Sequence, residues 1–303
     1  MDSREQTSTA LLDIDSRTAL FEQQRPRLLQ VAYGLLGTRA DAEDIVQDAY
    51  LRLGRIDPES LRNPEGWLTT VVTHLALDRL RSARHQREVY VGSWLPEPFV
   101  EFRNPEQEQI TRSNISIAVL FLLEQLRPQE RAIFLLREVF DVSYSMIAEV
   151  IGKSEQTCRQ ILSRTRSRID ELSKRTTADF NTKAELVERY ADAILSGDEQ
   201  KLLALMTDDA VLYSDGGGKI AANINPIYGV ERIIRLIQGL GAKNAGRYSR
   251  IAVLVNGEPG LLSLLDGKPD TVLAFEFEGN RIARLFGIRN PDKLKYLPAC
   301  EAP

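Results

Sequence analysis

From Phe21 to about Arg87 the apolar residues recur with a helical period. Phe21, Leu28, Leu29, Ala32, Leu35 and Leu36 share one face, and Gly37 supplies a stop. A second helix, predicted from about Ala40, buries Ala42, Ile45, Val46, Ala49 and Leu53. A third opens at Asn63-Pro64, an N-cap followed by proline at the first helical position. Its predicted core face is Trp67, Leu68, Val71, Val72 and Leu75, opposite Thr70, Thr73, His74, Leu77, Arg81 and Arg84. Between Arg87 and Thr111 the pattern breaks, and Pro96, Pro98 and Pro105 mark a linker. Helical periodicity resumes near Asn114 and runs to about Leu172, with Pro128 opening one helix and Gly152 separating two others. The polar stretch Lys174 to Thr182 is a second boundary.

Beyond Thr182 the period changes. Helices at Lys183 to Leu195 and Glu199 to Met206 precede β-like runs at Ala210 to Tyr213, Ser249 to Val255, Leu261 to Leu265, Thr271 to Glu278 and Arg281 to Gly287. A helix from about Val230 to Leu240 lies among them. Helices followed by a run of strands indicate an α+β domain. The predicted fold class is therefore multidomain: two all-α domains, then an α+β domain.

Composition narrows the function classes. The chain of 303 residues has a net charge of -4, so any nucleic-acid surface must be local and offset by acidic regions elsewhere. Cys158 and Cys300, the two cysteines, exclude a disulfide framework or cysteine-rich zinc site, and the two histidines, His74 and His85, leave none for a metal cluster in the second half. No metal or cofactor is expected. Cys158 reads as a small core residue. The polar start, Met1 to Asp15, lacks a signal-peptide core, and Ala118 to Leu123, the longest strongly apolar stretch, is far short of a membrane span. A cytoplasmic location is expected.

Four stretches carry chemistry. Asp41, Asp44 and Asp48 make an acidic stripe opposite Ile45, Ala49 and Leu53; it is either a solvated face or a dock for a basic protein surface. On the third helix, arginines thicken toward the C-terminus (Arg79, Arg81, Arg84, Arg87), a face that is simply exposed or that follows phosphates while Thr and Leu approach bases. Asp141 to Ile151, the Gly152 turn and the helix capped by Ser154 read as a helix-turn-helix. Cys158, Ile161, Leu162, Thr165 and Ile169 face inward there. Gln156, Gln160, Ser163 and Ser167 face outward beside Arg159, Arg164 and Arg166. Lys153 to Arg175 carries seven basic residues against three acidic ones, and Gln and Arg can bond base edges in pairs. Last, Tyr213-Ser-Asp-Gly-Gly-Gly-Lys219 is a flexible or functional loop, not a phosphate-binding loop, because the required spacing is absent. Asp208, Asp209 and Asp215 could act as acid or base, but no partner is evident and no catalytic residue is assigned.

These stretches, in this order, resemble the extracytoplasmic-function sigma factors. DAEDIVQDAYLRL (Asp41 to Leu53) resembles the helix that binds the polymerase clamp, and WLTTVVTHLALDRLRSAR (Trp67 to Arg84) the segment that reads and melts the minus-ten element. The segment from Leu126 to Ile169 resembles the domain that reads the minus-thirty-five element. Trp94-Leu-Pro-Glu-Pro98, Asp215-Gly-Gly-Gly-Lys219 and Asn290-Pro-Asp-Lys-Leu294 resemble signatures of the SigJ-like subgroup, which carries a SnoaL-like extension. The resemblance implies a tail at 1–20, region 2 at 21–90, a linker at 91–112, region 4 at 113–174 and a cone-shaped SnoaL-like domain at 180–303 that regulates the factor.

It also implies roles: polymerase contact for Asp41, Asp44 and Asp48; minus-ten contact for Thr70, His74, Arg81 and Arg84; minus-thirty-five contact for Gln156, Arg159, Gln160 and Arg164. A regulatory contact would join Trp94, Pro96 and Pro98 to Asp215, Gly216, Gly217, Gly218 and Lys219 and to Asn290, Pro291 and Asp292. Expected partners are core RNA polymerase, promoter DNA and an unidentified small ligand in the C-terminal pocket, with no membrane. The alternative is a one-component helix-turn-helix regulator with a ligand-binding domain; it gives the acidic stripe no task. A second alternative makes the last domain a cofactor-free isomerase or cyclase.

Overall fold

A computed structural model describes residues 3–56, 61, 63–88, 90–102, 115–172, 178–244 and 246–297; the side chains of 3–16 and 83–88 are not described. The Arg84 side chain, the linker stretch 103–114 with the predicted helix start near Asn114, the boundary stretch 173–177 and Cys300 thus lie outside the described residues. The chain divides into two compact units, Met1–His85 with Leu126–Arg166, and Gln86–Gln125 with Ser167–Pro303.

The first unit is helical. Helix α1 (Ser3–Leu36) starts well before the predicted Phe21 and contains Pro26. It packs on α2 (Arg39–Leu53), where Ala42, Ile45, Val46, Ala49 and Leu53 are buried. The rings of Phe21 and Tyr50 meet at 4.7 Å between these helices. Helix α3 (Pro64–Glu88) follows. After it come α5 (Pro128–Phe134) with a π-helical turn (Leu135–Val139), α6 (Tyr144–Ile151) and α7 (Glu155–Leu172), of which the part up to Arg166 belongs to this unit. Buried Arg131 of α5 ties the unit together: its Nε and Nη2 donate to the Gly34 carbonyl of α1 at 3.1 and 2.9 Å.

The buried face of α3 differs from the predicted one. Leu68, Thr69, Val72, Thr73, Ala76, Leu77 and Leu80 are buried, whereas Trp67, Val71 and Leu75 are partly exposed. Thr73 and Leu77 therefore belong to the core and not to the outer face. Burial is tolerable for Thr69 and Thr73 because each hydroxyl donates to the carbonyl four residues back, at 2.9 and 2.7 Å.

The second unit is built on a seven-stranded sheet in the order β1-β4-β5-β6-β7-β2-β3. Its strands are β1 (Val100–Phe102), β2 (Met206–Asp215), β3 (Ile227–Tyr228), β4 (Tyr248–Val255), β5 (Glu258–Leu265), β6 (Lys268–Glu278) and β7 (Arg281–Ile288). Neighbours pair antiparallel except β2 and β7, which are parallel. Helices α8 (Phe180–Ser196), α9 (Glu199–Leu205) and α10 (Val230–Lys243) cover one face, with Leu186, Tyr190, Leu202 and Ile233 against Leu261, Phe275 and Leu285. The other face receives Leu95 and Ile117 and Ala118 of α4 (Ile117–Leu123), against Val253, Leu262, Val272 and Phe286. Alternate residues of β6 serve opposite cores, so its run Val272 to Phe277 is apolar almost throughout. The short helix α11 (Pro291–Leu294) follows β7.

Part of the stretch read as a linker is thus structural. β1 pairs with β4 in the register Val100↔Val255, Glu101↔Leu254, Phe102↔Val253. Sequence periodicity gave no sign of this, because a three-residue edge strand after prolines carries no repeat of its own.

Candidate functional site

Helix α2 presents Asp41, Asp44 and Asp48 along one side, Asp44 and Asp48 exposed and Asp41 partly so. The arrangement is less bare than the spacing suggests. Arg79 of α3 reaches across to Asp41 at 2.7 Å and Asp44 at 3.5 Å, and Thr38 donates to Asp41 at 2.6 Å. Asp48 is the exposed carboxylate farthest along the stripe.

On α3, Thr70 donates to the Gly66 carbonyl at 2.9 Å, and Arg81 is exposed and bonded to Asp78 at 2.9 Å. His74 Nε2 lies 2.6 Å from the Val150 carbonyl of α6. Near the start of α3, a Cβ added at Gly66 would lie 2.8 Å from Met146 Cε of α6. The face carrying Thr70 and His74 is therefore in contact with the helix-turn-helix.

That motif is locally well specified. Asp141 takes a positive φ of 48° and Ser143 caps α6, so the helix starts at Tyr144 and not at Asp141. Gly152 ends it in the left-handed region (φ 68°), where a side chain would be strained. The Ser154 hydroxyl accepts from Thr157 N–H at 3.2 Å and opens α7. Cys158, Leu162, Thr165 and Ile169 are buried, while Gln156, Arg159, Gln160, Ser163, Arg164 and Arg166 are exposed. The Arg159 guanidinium stacks 3.8 Å from the Tyr144 ring centre and bonds Glu155 at 3.2 Å. Burial raises the Cys158 thiol above its ordinary pKa, which fits an inert core residue.

The second unit contains a polar hub around Asp215, at the end of β2. Its carboxylate is 0% exposed. It accepts from Tyr90 Oη at 2.5 Å, Leu95 N–H at 2.9 Å, Gly217 N–H at 3.0 Å and Lys293 Nζ at 2.6 Å. Lys293, also buried, bonds the Leu95 carbonyl and sits 4.2 Å from the Trp94 ring centre and 5.3 Å from that of Tyr90. Asn290 donates to Tyr90 Oη at 2.9 Å and accepts from Asp292 N–H at 3.0 Å. Burial and the adjacent Asp215 push the Tyr90 phenol well above its ordinary pKa.

Pro96 and Pro98 are buried with Leu95, whereas Pro291, Asp292, Gly218 and Lys219 lie at the surface. Lys219 pairs with Asp292 at 2.6 Å, an exposed bridge worth little. The glycines allow close approach: a Cβ at Gly216 would lie 2.7 Å from Ala222 Cβ, one at Gly217 would fall on the Asn290 amide, and one at Gly218 would touch Val91 at 3.3 Å.

Tyr90 and Asn256 lay outside the stretches singled out in the sequence, and Leu95 and Lys293 lay inside them without an assigned role. Asn256 clamps both ends of the stretch that enters and leaves this unit. Its Oδ1 accepts from Phe99 N–H and its Nδ2 donates to the Ile115 carbonyl, each at 2.9 Å, while its own N–H donates to Phe99 O at 2.8 Å. A signal existed: Asn256-Gly257 between two apolar runs is a hairpin dipeptide, and both residues adopt positive φ.

A cavity of 370 Å³ opens between the sheet and α8 and α10. Apolar walls come from Leu212, Leu236, Ile237, Leu261 and Leu273, and its charged lining residues are Arg250, Asp270 and Arg289. Asp270 bonds Arg289 at 2.8 Å, Thr271 at 2.6 Å and Tyr248 at 3.3 Å. No cluster able to hold a metal ion occurs among the described residues, and no described helix is long and apolar enough to cross a membrane.

Comparison with known proteins assigns the family. Sigma-70 region 2 matches residues 20–86, and Sigma-70 region 4 matches residues 116–169. The chain is 36% identical over 294 residues to the ECF RNA polymerase sigma factor SigJ of Mycobacterium tuberculosis H37Rv, covering 93% of this chain and 94% of that one. It is 28% identical over 293 residues to the probable ECF RNA polymerase sigma factor SigI of M. tuberculosis CDC 1551, covering 94% and 97%. The crystal structure of M. tuberculosis SigJ matches with a TM-score of 0.76 at 33% identity, over 93% of this chain and 100% of that one. With helical regions 2 and 4 followed by an α+β domain, the chain belongs to the SigJ-like subgroup of extracytoplasmic-function RNA polymerase sigma factors.

Proposed function

We propose that this sigma factor is held in a closed state by its own C-terminal domain, and that core RNA polymerase opens it. One observation carries the reading: the fully buried Asp215 carboxylate binds the linker through Tyr90 and Leu95 and binds Lys293 of the C-terminal tail. An unpaired carboxylate could not persist there, so linker and tail must dock together. The engagement of the Thr70–His74 face with α6 supports the same reading, because DNA approaching that face must displace the helix-turn-helix.

In the open state, Asp48, with Asp41 and Asp44, docks on the basic surface of the polymerase clamp helices. Thr70, His74, Arg81 and Arg84 then meet the minus-ten strand, and Gln156, Arg159, Gln160 and Arg164 the minus-thirty-five duplex. We read the factor as acting in the cytoplasm and the C-terminal domain as a regulator with a small-molecule pocket, not an enzyme. Asp270, the carboxylate lining that cavity, is engaged by an ion pair to Arg289 and a hydrogen bond from Thr271.

The test is transcription with purified core polymerase, comparing the natural chain with Asp215→Asn. The variant is expected to raise promoter output several-fold and speed linker proteolysis at least tenfold. Unchanged output together with an unchanged cleavage rate overturns the proposal.

A further inference from the structure

The cavity holds a cation that the fold leaves unanswered. Arg250, on β4, lines it half-buried, and among the described residues no carboxylate pairs with Arg250; its electrostatic neighbours are the phenols of Tyr190 and Tyr248. Arg289 spends one nitrogen on Asp270 and another on the Ala221 carbonyl, at 2.5 Å, yet its Nε–H is buried with no hydrogen-bond partner. With two arginines and one aspartate, the charged lining is net positive inside otherwise apolar walls. Burial lowers the Arg250 pKa, so holding the charge at this position costs free energy. The 370 Å³ volume falls within the roughly 300–1,000 Å³ usual for small-molecule sites.

We infer that this cavity is an effector site for a small amphipathic anion, whose head group pairs with Arg250 and whose apolar body lies against Leu236, Ile237 and Leu273. The head group is carboxylate-like, because the donors are guanidinium N–H groups suited to paired bonds with a planar anion. Occupancy has a short route to the linker contact. Arg289 adjoins Asn290 in sequence, and its backbone N–H donates to the Asp215 carbonyl at 2.8 Å. Ala221, Ala222 and Asn223 form a cavity wall, and the next residue, Ile224, lies against Gly92 of the linker: a Cβ at Gly92 would stand 3.5 Å from Ile224 Cα. An anion that draws on Arg289 therefore acts on both stretches that hold the linker. This consequence rests on the regulatory reading above, whereas the binding does not.

The experiment is calorimetric titration of the full chain with a matched panel of straight-chain and aryl-alkyl carboxylates and their primary amides. At least one carboxylate is expected to bind tenfold or more tightly than its amide. Arg250→Gln is expected to erase that preference while leaving the amide's affinity unchanged, and Arg250→Lys to restore part of it; circular dichroism verifies that each variant is folded. If no carboxylate outbinds its amide, or if folded Arg250→Gln keeps the preference, the inference is overturned. Should the carboxylate preference hold while Asp215→Asn leaves transcription unmoved, the site stands and the regulatory reading falls. Absence of any carboxylate preference in the natural chain, alongside raised output from Asp215→Asn, removes the inference alone.

Discussion

Lys293 and Asp215 form an ion pair that water hardly reaches, with side chains 8% and 0% exposed. Removing one member strands the other, which typically costs about 3–5 kcal/mol. Lys293→Met should therefore destabilise the second unit by that amount in urea titrations, whereas an exposed bridge such as Lys219–Asp292 should yield under ~1 kcal/mol when broken by Lys219→Met. The neighbouring Tyr90 gives the contact an alkaline limit. Because its folded pKa lies above the ordinary phenol value of about 10, the folded state holds that proton more tightly than the unfolded one. Its contribution is complete below about pH 10 and is lost as pH rises further. Thermal melts between about pH 9 and pH 11 should show a shallower decline for Tyr90→Phe than for the natural chain. Asp215 and Asn290 were visible in the sequence through the stretches that contain them. Lys293 lay in the same stretch as Asn290 but was given no role, and Tyr90 lay outside every such stretch, because their roles come from chain segments about 200 residues apart meeting in space, as the Asn290–Tyr90 bond shows.

Among the elements, α7 and α3 make an instructive pair. The inward and outward residues of α7 could be read directly because its buried side is apolar apart from Thr165, and its exposed side is polar and basic. In α3 two threonines lie on the buried side and an indole remains partly exposed, so a rule that equates polar with outward picks the wrong stripe. Strands β2 and β4 to β7 were all legible as β-like runs, since β-rich runs separated by glycine turns need no tertiary context. The β1 edge was not. Its retention hinges on the Asn256 clamp, and Asn256→Gly isolates that clamp, because glycine tolerates the φ of 53°. Loss of its side-chain bonds to Phe99 and Ile115 should cost about 1–3 kcal/mol and make the linker more susceptible to protease, read as an earlier cleavage in a timed digest.

Across the whole molecule, opposite charges are sorted between α2 and α7 while the total stays at -4. This sorting, together with the order of the motifs, makes the family legible from the amino-acid chain alone. The intramolecular neutralisation of Asp41 by Arg79 was not legible, because it joins two helices that sequence reading treats singly. It focuses the expected polymerase contact on Asp48. Asp48→Lys should slow association with core polymerase by tenfold or more at low ionic strength, with the deficit shrinking as salt is added, in a binding-kinetics assay.

The placement of α4 and Leu95 on the sheet has a consequence for genetics. Deleting the C-terminal domain would strip the cover from Leu95, Ile117, Ala118 and Phe121 and leave an oily stump prone to clumping. Gene fission is hindered for the same reason, since a separated sigma half would first have to acquire a new polar skin along that segment.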